Sequence, residues 1–246
     1  GGKISGGTAA YGGSLFSYDN DVTIGGTAII ENGVASSGGG SVYVFAGTIT
    51  VADQAQIRGG STTGTVSGGN IFLRWGSGAK MNVNGGTISG GKAGASAGGE
   101  CGNIYVGYQT TLTMNGGQIT GGQAKNGGNI GSYGVIVMNG GTISNGVAAT
   151  YGGNVSLYMD TETNPPATLT INGGTITGGS AGYGGNIRLG KNCTVTIAGG
   201  TVSDGTASTN GGNIFVGRAV TKNGTTCYCT LVLTSGSVTG GSAANG

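Results

Sequence analysis

A Gly-Gly-Asn signature, or its Gly-Gly-Ser variant, returns along the whole chain and places its third residue at Ser14, Ser41, Asn70, Asn103, Asn129, Asn154, Asn186 and Asn213, with Cys101 replacing the first glycine before Asn103. The intervals are 27, 29, 33, 26, 25, 32 and 27 residues. A unit of about 25 residues that lengthens only by insertion marks a solenoid, in which each copy buries an apolar face against its neighbours. Inside a unit stand three short runs, such as Asn186-Ile187-Arg188-Leu189, Thr194-Val195-Thr196-Ile197 and Thr201-Val202-Ser203. Each alternates apolar and polar residues with period two and is rich in Val, Ile and Thr, the pattern of a strand. Gly-Gly and Asn-Gly-Gly steps separate them and suit tight corners with positive φ. No window carries a useful helical period.

Like residues recur one unit apart, so the strands pair between copies. The expected fold is an all-β, right-handed parallel β-helix with three strands per coil, a roughly triangular section and about eight coils; the hand follows the crossover rule. Residues 1–246 read as one solenoid domain, with 1–13 a leading partial coil and coils starting near 14, 41, 70, 103, 129, 154, 186 and 213. Coils stack about 4.8 Å apart, so a recurring residue lies on its own kind. Asn70, Asn103, Asn129, Asn154, Asn186 and Asn213 are expected to form one asparagine ladder, and Asn84, Asn115, Asn139 and Asn172 a second. Stacked amides would fix a register that short strands specify poorly.

Composition narrows the functional classes. With 61 glycines among 246 residues but only two prolines and no three-residue period, the chain is not collagen-like, and its alternating apolar residues argue against disorder. A net charge of +2 without a basic patch disfavours a nucleic-acid partner, and no apolar run approaches a membrane span. A chain that starts at Gly1 reads as a processed product or an excerpt, and the scarcity of charge beside abundant Thr, Ser and Asn fits a secreted or cell-surface location. With no histidine and no paired Cys-x-x-Cys, a zinc site is not expected, and nothing implies a cofactor. Aligning Cys193-Thr-Val with Cys229-Thr-Leu puts Cys193 and Cys229 at one place in consecutive coils, a candidate disulfide; Cys101 and Cys227 are left over.

Enzymatic chemistry on a β-helix needs clustered carboxylates in a side groove. Only Asp19 with Asp21 and Asp160 with Glu162 are spaced to share a face, and both pairs lie at or beside variable corners, so they read as solvated loop residues. No helix and no Gly-Lys-Ser/Thr follow the glycine clusters, which excludes a phosphate loop. The expectation is a protein that is not an enzyme.

Two outward columns invite contact. If Ile187 and Leu189 face inward, Phe16, Tyr43, Phe72 and Tyr105 face outward with Arg188, and Tyr18, Phe45, Trp75 and Tyr108 lie just beyond them. Such a double row is a candidate interaction strip for a protein partner or for sugar rings. On the third strand, Thr87 with Ser89, Gln118 with Thr120, Thr142 with Ser144, Thr175 with Thr177, Thr201 with Ser203 and Ser237 with Thr239 make ranks similar to the face of ice-binding β-solenoids, interrupted by Gln118 and the serines.

The units Asn172–Leu189 (NGGTITGGSAGYGGNIRL) and Ile197–Val216 (IAGGTVSDGTASTNGGNIFV) resemble the Gly/Thr/Asn-rich repeats of secreted bacterial parallel β-helix surface proteins of the adhesin-like kind. The resemblance spans essentially the whole chain and implies a right-handed β-helix with an extracellular structural or adhesive role. The chain opens and closes in third-strand sequence without a polar cap, so the function expected first is a subunit of an extracellular filament, a homopolymer built head to tail through contacts near Ile4 and Val238. Stacking third strand on third strand leaves first and second strands missing at the joint; either the joint is offset or the chain is a piece of a longer array. The alternative is an adhesin stalk or carbohydrate-binding module that meets surface glycans or other surface proteins through the aromatic strip, and ice binding comes third.

Overall fold

The computed structural model describes residues 1–64, 68–94, 100–158, 165–222 and 225–245. Strands paired in parallel between successive coils build the fold, as in a parallel β-helix, and the described residues contain no helix. The coil that opens at Asn186 shows the plan: Ile187–Leu189, then Thr194–Ile197, then Thr201–Ser203. First strands form an eight-stranded sheet, second strands another eight-stranded sheet and third strands a nine-stranded one, which takes in Lys3–Ser5 ahead of the first full coil.

Strand pairing also extends into the corner that follows the third strand. Thr206–Asn210 and its equivalents, among them Thr8–Tyr11, Val34–Gly38, Val147–Tyr151 and Ser180–Tyr183, pair in parallel as a fourth strand, with bulges in the ladder. Lys92 joins the two halves of this fourth sheet by single bridges to Ser61 and Gln123. Alternation of large apolar residues gives no warning of these strands. Their buried positions are small, Ala35, Ala148, Ala181 and Ala207, and the recurrence of that alanine just after the third strand is the signal that could have found them.

The core is a narrow apolar column. A typical coil contributes two residues from its first strand, two from its second and one from its third, as in Ile71, Leu73, Met81, Val83 and Ile88, all fully buried, while Ser17 and Ser132 replace one apolar first-strand residue in two coils. The third-strand contribution runs Ile4, Ile30, Ile57, Ile88, Ile119, Ile143, Ile176, Val202, Val238 in register. Only its two outermost members are open to solvent, Ile4 at 44% and Val238 at 37%. The corner after each third strand repeats too: Asn32, Asn145 and Asp204 hold φ near +55°, and Gly59 and Gly178 in the neighbouring coils hold φ +64°. Asn and Asp tolerate this left-handed backbone and Gly enters it freely, so the corner accepts those types. The insertion after Arg218 contains an antiparallel hairpin, Val220–Lys222 against Thr225–Cys227.

Candidate functional site

The first asparagine ladder stands at the corner that precedes each first strand, and its amides are buried. Asn70 Nδ2 donates to Asn103 Oδ1 (2.8 Å), Asn103 to Asn129 (2.7 Å), Asn129 to Asn154 (2.7 Å), Asn154 to Asn186 (2.6 Å) and Asn186 to Asn213 (2.8 Å). Each Oδ1 also accepts a glycine N–H, as from Gly122 to Asn129 (2.9 Å), and each Nδ2 also donates to a third-strand carbonyl, as from Asn129 to Ser144 (2.8 Å). An interior rung thus uses two acceptor and two donor positions, the full capacity of an amide. Ser14 and Ser41 occupy the same place in the leading coils, and their buried hydroxyls have no partner.

The second ladder is exposed and runs with the opposite sense. Asn115 Nδ2 donates back to Asn84 (2.9 Å), Asn139 to Asn115 (2.8 Å) and Asn172 to Asn139 (2.9 Å). Water competes for these bonds, so they contribute less than the buried set.

The aromatic column has the expected register, Phe16 on Tyr43 on Phe72 on Tyr105, with near-parallel rings 4.4 to 5.2 Å apart. Its expected exposure is corrected. Tyr43, Phe72 and Tyr105 are 5%, 3% and 4% exposed, whereas Phe16, Tyr18 and Trp75 keep 46%, 62% and 48%. Period two tells which way a side chain leaves the core, not what covers it there. The fourth strands supply the cover: Tyr11 tilts onto Tyr43 at 4.9 Å, and Gly38 lies so close to the Phe72 ring that a Cβ would sit 2.9 Å from it. The rings form a second, external core with Cys101, flanked by Phe45 and Tyr133. The column stops at Gly131, where any side chain would collide with the Cys101 sulfur.

The outer row is also corrected. Tyr18 stacks on Phe45 at 4.4 Å, but the residue in register beyond Phe45 is Arg74, whose guanidinium lies 4.1 Å from the Phe45 ring centre. Trp75 and Tyr108 fall one position later, and Trp75 meets Phe72 and Tyr105 edge-on.

The third-strand ranks are in register and half-buried except for the exposed Gln118 and Thr239, and several hydroxyls bond along the axis: Ser144 to Thr120 (3.0 Å), Thr177 with Ser203 (3.0 Å) and Ser237 to Thr201 (3.2 Å). Glu31 bridges Lys3 (2.5 Å) and Arg58 (2.7 Å) on the same face, and these hydrogen-bonded cations, Lys3 foremost, lower its pKa to about 2.

Cys193 and Cys229 are neighbours in consecutive coils, as the alignment expects, but the staple is not formed and both are free thiols. Each sulfur donates instead to a backbone carbonyl, Cys193 to Lys191 (3.3 Å) and Cys229 to Gly190 (2.6 Å). Burial, with Cys229 alongside, pushes the Cys193 thiol up to about 12, so it stays protonated and is a poor nucleophile near neutral pH.

Of the acid pairs, Asp21 accepts the Thr48 N–H (2.9 Å) and so caps the edge of the second-strand sheet. Asp160 and Glu162 lie outside the described residues. Among the described residues no three of His, Cys, Asp and Glu gather as metal ligands would, and no helix is long and apolar enough to cross a membrane. Comparison with protein-family models, with curated proteins and with solved structures finds no match.

Proposed function

We propose that this chain is a non-enzymatic, extracellular structural solenoid that extends by adding coil to coil at its open edges, so that copies join end to end into a filament. The observation that carries the reading is the repeat itself, since the same strands pair in parallel register from coil to coil and one coil's edge is complementary to that of another. In the 246-residue chain Ile4 on one side and Leu231, Leu233 and Val238 on the other expose the apolar column for such a contact. Parallel strand edges with matching apolar residues are templates for further pairing, and a heterologous contact that does not close generates a filament. Seating Lys3–Ser5 on Ser237–Thr239 and Thr8–Tyr11 on Ser242–Asn245 continues two sheets across the joint. The other two are then one strand short, which makes the seam weaker than an internal coil contact.

Negative-stain electron microscopy and sedimentation of the 246-residue chain over a concentration series test this. Unbranched rods that lengthen with concentration, and that Ile4→Lys or Val238→Lys shortens to single units, are the expected result. Single units of about 40 Å, eight coils at the strand spacing, at every concentration would refute it.

A further inference from the structure

The C-terminal coils carry a groove that the filament reading does not use. It is lined by Tyr151, Arg188, Lys191, Phe215 and Arg218, with Gly217, Ala219 and Thr221, and encloses about 490 Å³, within the usual range for small-ligand sites. Three of the chain's ten Lys and Arg residues thus converge on one cavity. Among the described residues none of these three cations is paired with a carboxylate.

Arg188 is the built part of this groove. It occupies the ring column's place in its coil, between Ser156 and Phe215. Its guanidinium lies 4.5 Å from the Tyr151 ring centre and 5.6 Å from that of Tyr158, and its Nη1 donates to the Leu157 carbonyl (3.1 Å). Gly190 admits it, since a Cβ there would lie 2.7 Å from Nη1. Two rings and a carbonyl therefore hold the group, while its Nε is buried without a hydrogen-bond partner. A buried, unpaired donor on a charged group is costly, and it marks Arg188 as a cation held in place by packing against rings.

We infer that this groove binds an acidic sugar unit of a glycan, with the sugar carboxylate on Arg188, Lys191 and Arg218 and a C–H face of the ring on Phe215 or Tyr151. Among the described residues these cations have no carboxylate partner, and such a set in a concave, aromatic-walled site favours an anion; aromatic faces suit the apolar side of a pyranose. A nucleotide is the competing anionic ligand, and the titration below separates the two. This site is independent of whether the solenoid ends join.

Calorimetric titration of the full chain at low ionic strength tests the inference with four probes: trigalacturonate, its methyl ester, adenosine monophosphate and inorganic sulfate. Trigalacturonate is expected to bind saturably, roughly tenfold or more tighter than the uncharged ester, and to weaken with added salt. Arg188 also packs against two rings, so the decisive variant is Lys191→Glu with Arg218→Glu, two exposed positions. It is expected to keep the wild-type circular dichroism and lose at least about tenfold in affinity. Absence of binding, equal binding of the ester, tighter binding of the nucleotide or of sulfate, or an unaffected double variant would each overturn the assignment.

Discussion

The coils from Asn70 onward and the two coils before them solve one problem by different means. Short parallel strands need a device that forbids slippage. In the later coils it is the buried amide column, in which each interior rung meets four partners. In the leading coils serines stand at those corners with unpaired hydroxyls, and the stacked rings of Phe16 and Tyr43, continued by Phe72 and Tyr105 in the next two coils, lie over the neighbouring face. Amides fix register through directional bonds that fail if displaced. Stacked rings tolerate sliding, and they contribute mainly by area and dispersion. The two leading coils should therefore be stable but less strictly registered.

Removing one rung should give the largest effect. Asn129→Ala strips Gly122 N–H and the Ser144 carbonyl of buried partners and breaks the amide chain on both sides. A loss of roughly 3–5 kcal/mol is expected in denaturant unfolding. Ser41→Ala, at the same station in a leading coil, should change stability by less than about 0.5 kcal/mol, because its hydroxyl bonds nothing. Similar losses from both would erase the distinction.

Next in size is the ring stack. Phe72→Ala empties a position that is 3% exposed and stacked on both sides, and should cost about 3 kcal/mol, whereas Phe16→Ala, half-exposed at the end of the stack, should cost less than half as much by the same measurement. Smaller again is the gain from extending the ladder. In Ser41→Asn the new Nδ2 can reach Asn70 Oδ1, which accepts Gly60 N–H but no amide from the preceding coil. A rise of about 1 kcal/mol is expected, and a loss would mean the leading corner is too tight for an amide.

The smallest effect is electrostatic. Lys3 and Arg58 clamp Glu31 between leading coils and hold its carboxyl down at about 2 from 4.5. A depressed pKa stabilises the fold above the unfolded value, and that contribution fades as pH falls from about 4.5 toward about 2. Lys3 is exposed, so solvent and salt screen much of it. Glu31→Gln should flatten the acid limb of the melting-temperature profile in that window, and an unchanged limb would assign the pH dependence elsewhere.

The phase of the repeat made the columns legible. Asn70 to Asn213, Asn84 to Asn172 and Phe16 to Tyr105 each recur at one station, and recurrence in phase means contact in a stacked solenoid. Three things were not legible, each for a physical reason. The fourth strand buries alanine where a strand reading looks for Val or Ile. The cover over Tyr43 and Phe72 comes from residues on that unseen strand. The groove around Arg188 joins residues from three coils and two faces, a concavity that linear spacing does not encode.

Side-chain amide hydrogen exchange, followed by NMR with assigned asparagines, tests the central contrast most directly. If the buried column locks the coils, the Nδ2 protons of Asn103, Asn129, Asn154 and Asn186 should exchange only through large-scale opening, and those of Asn84, Asn115, Asn139 and Asn172 should exchange freely. Equal, rapid exchange in both sets would contradict a ladder that holds the solenoid in register.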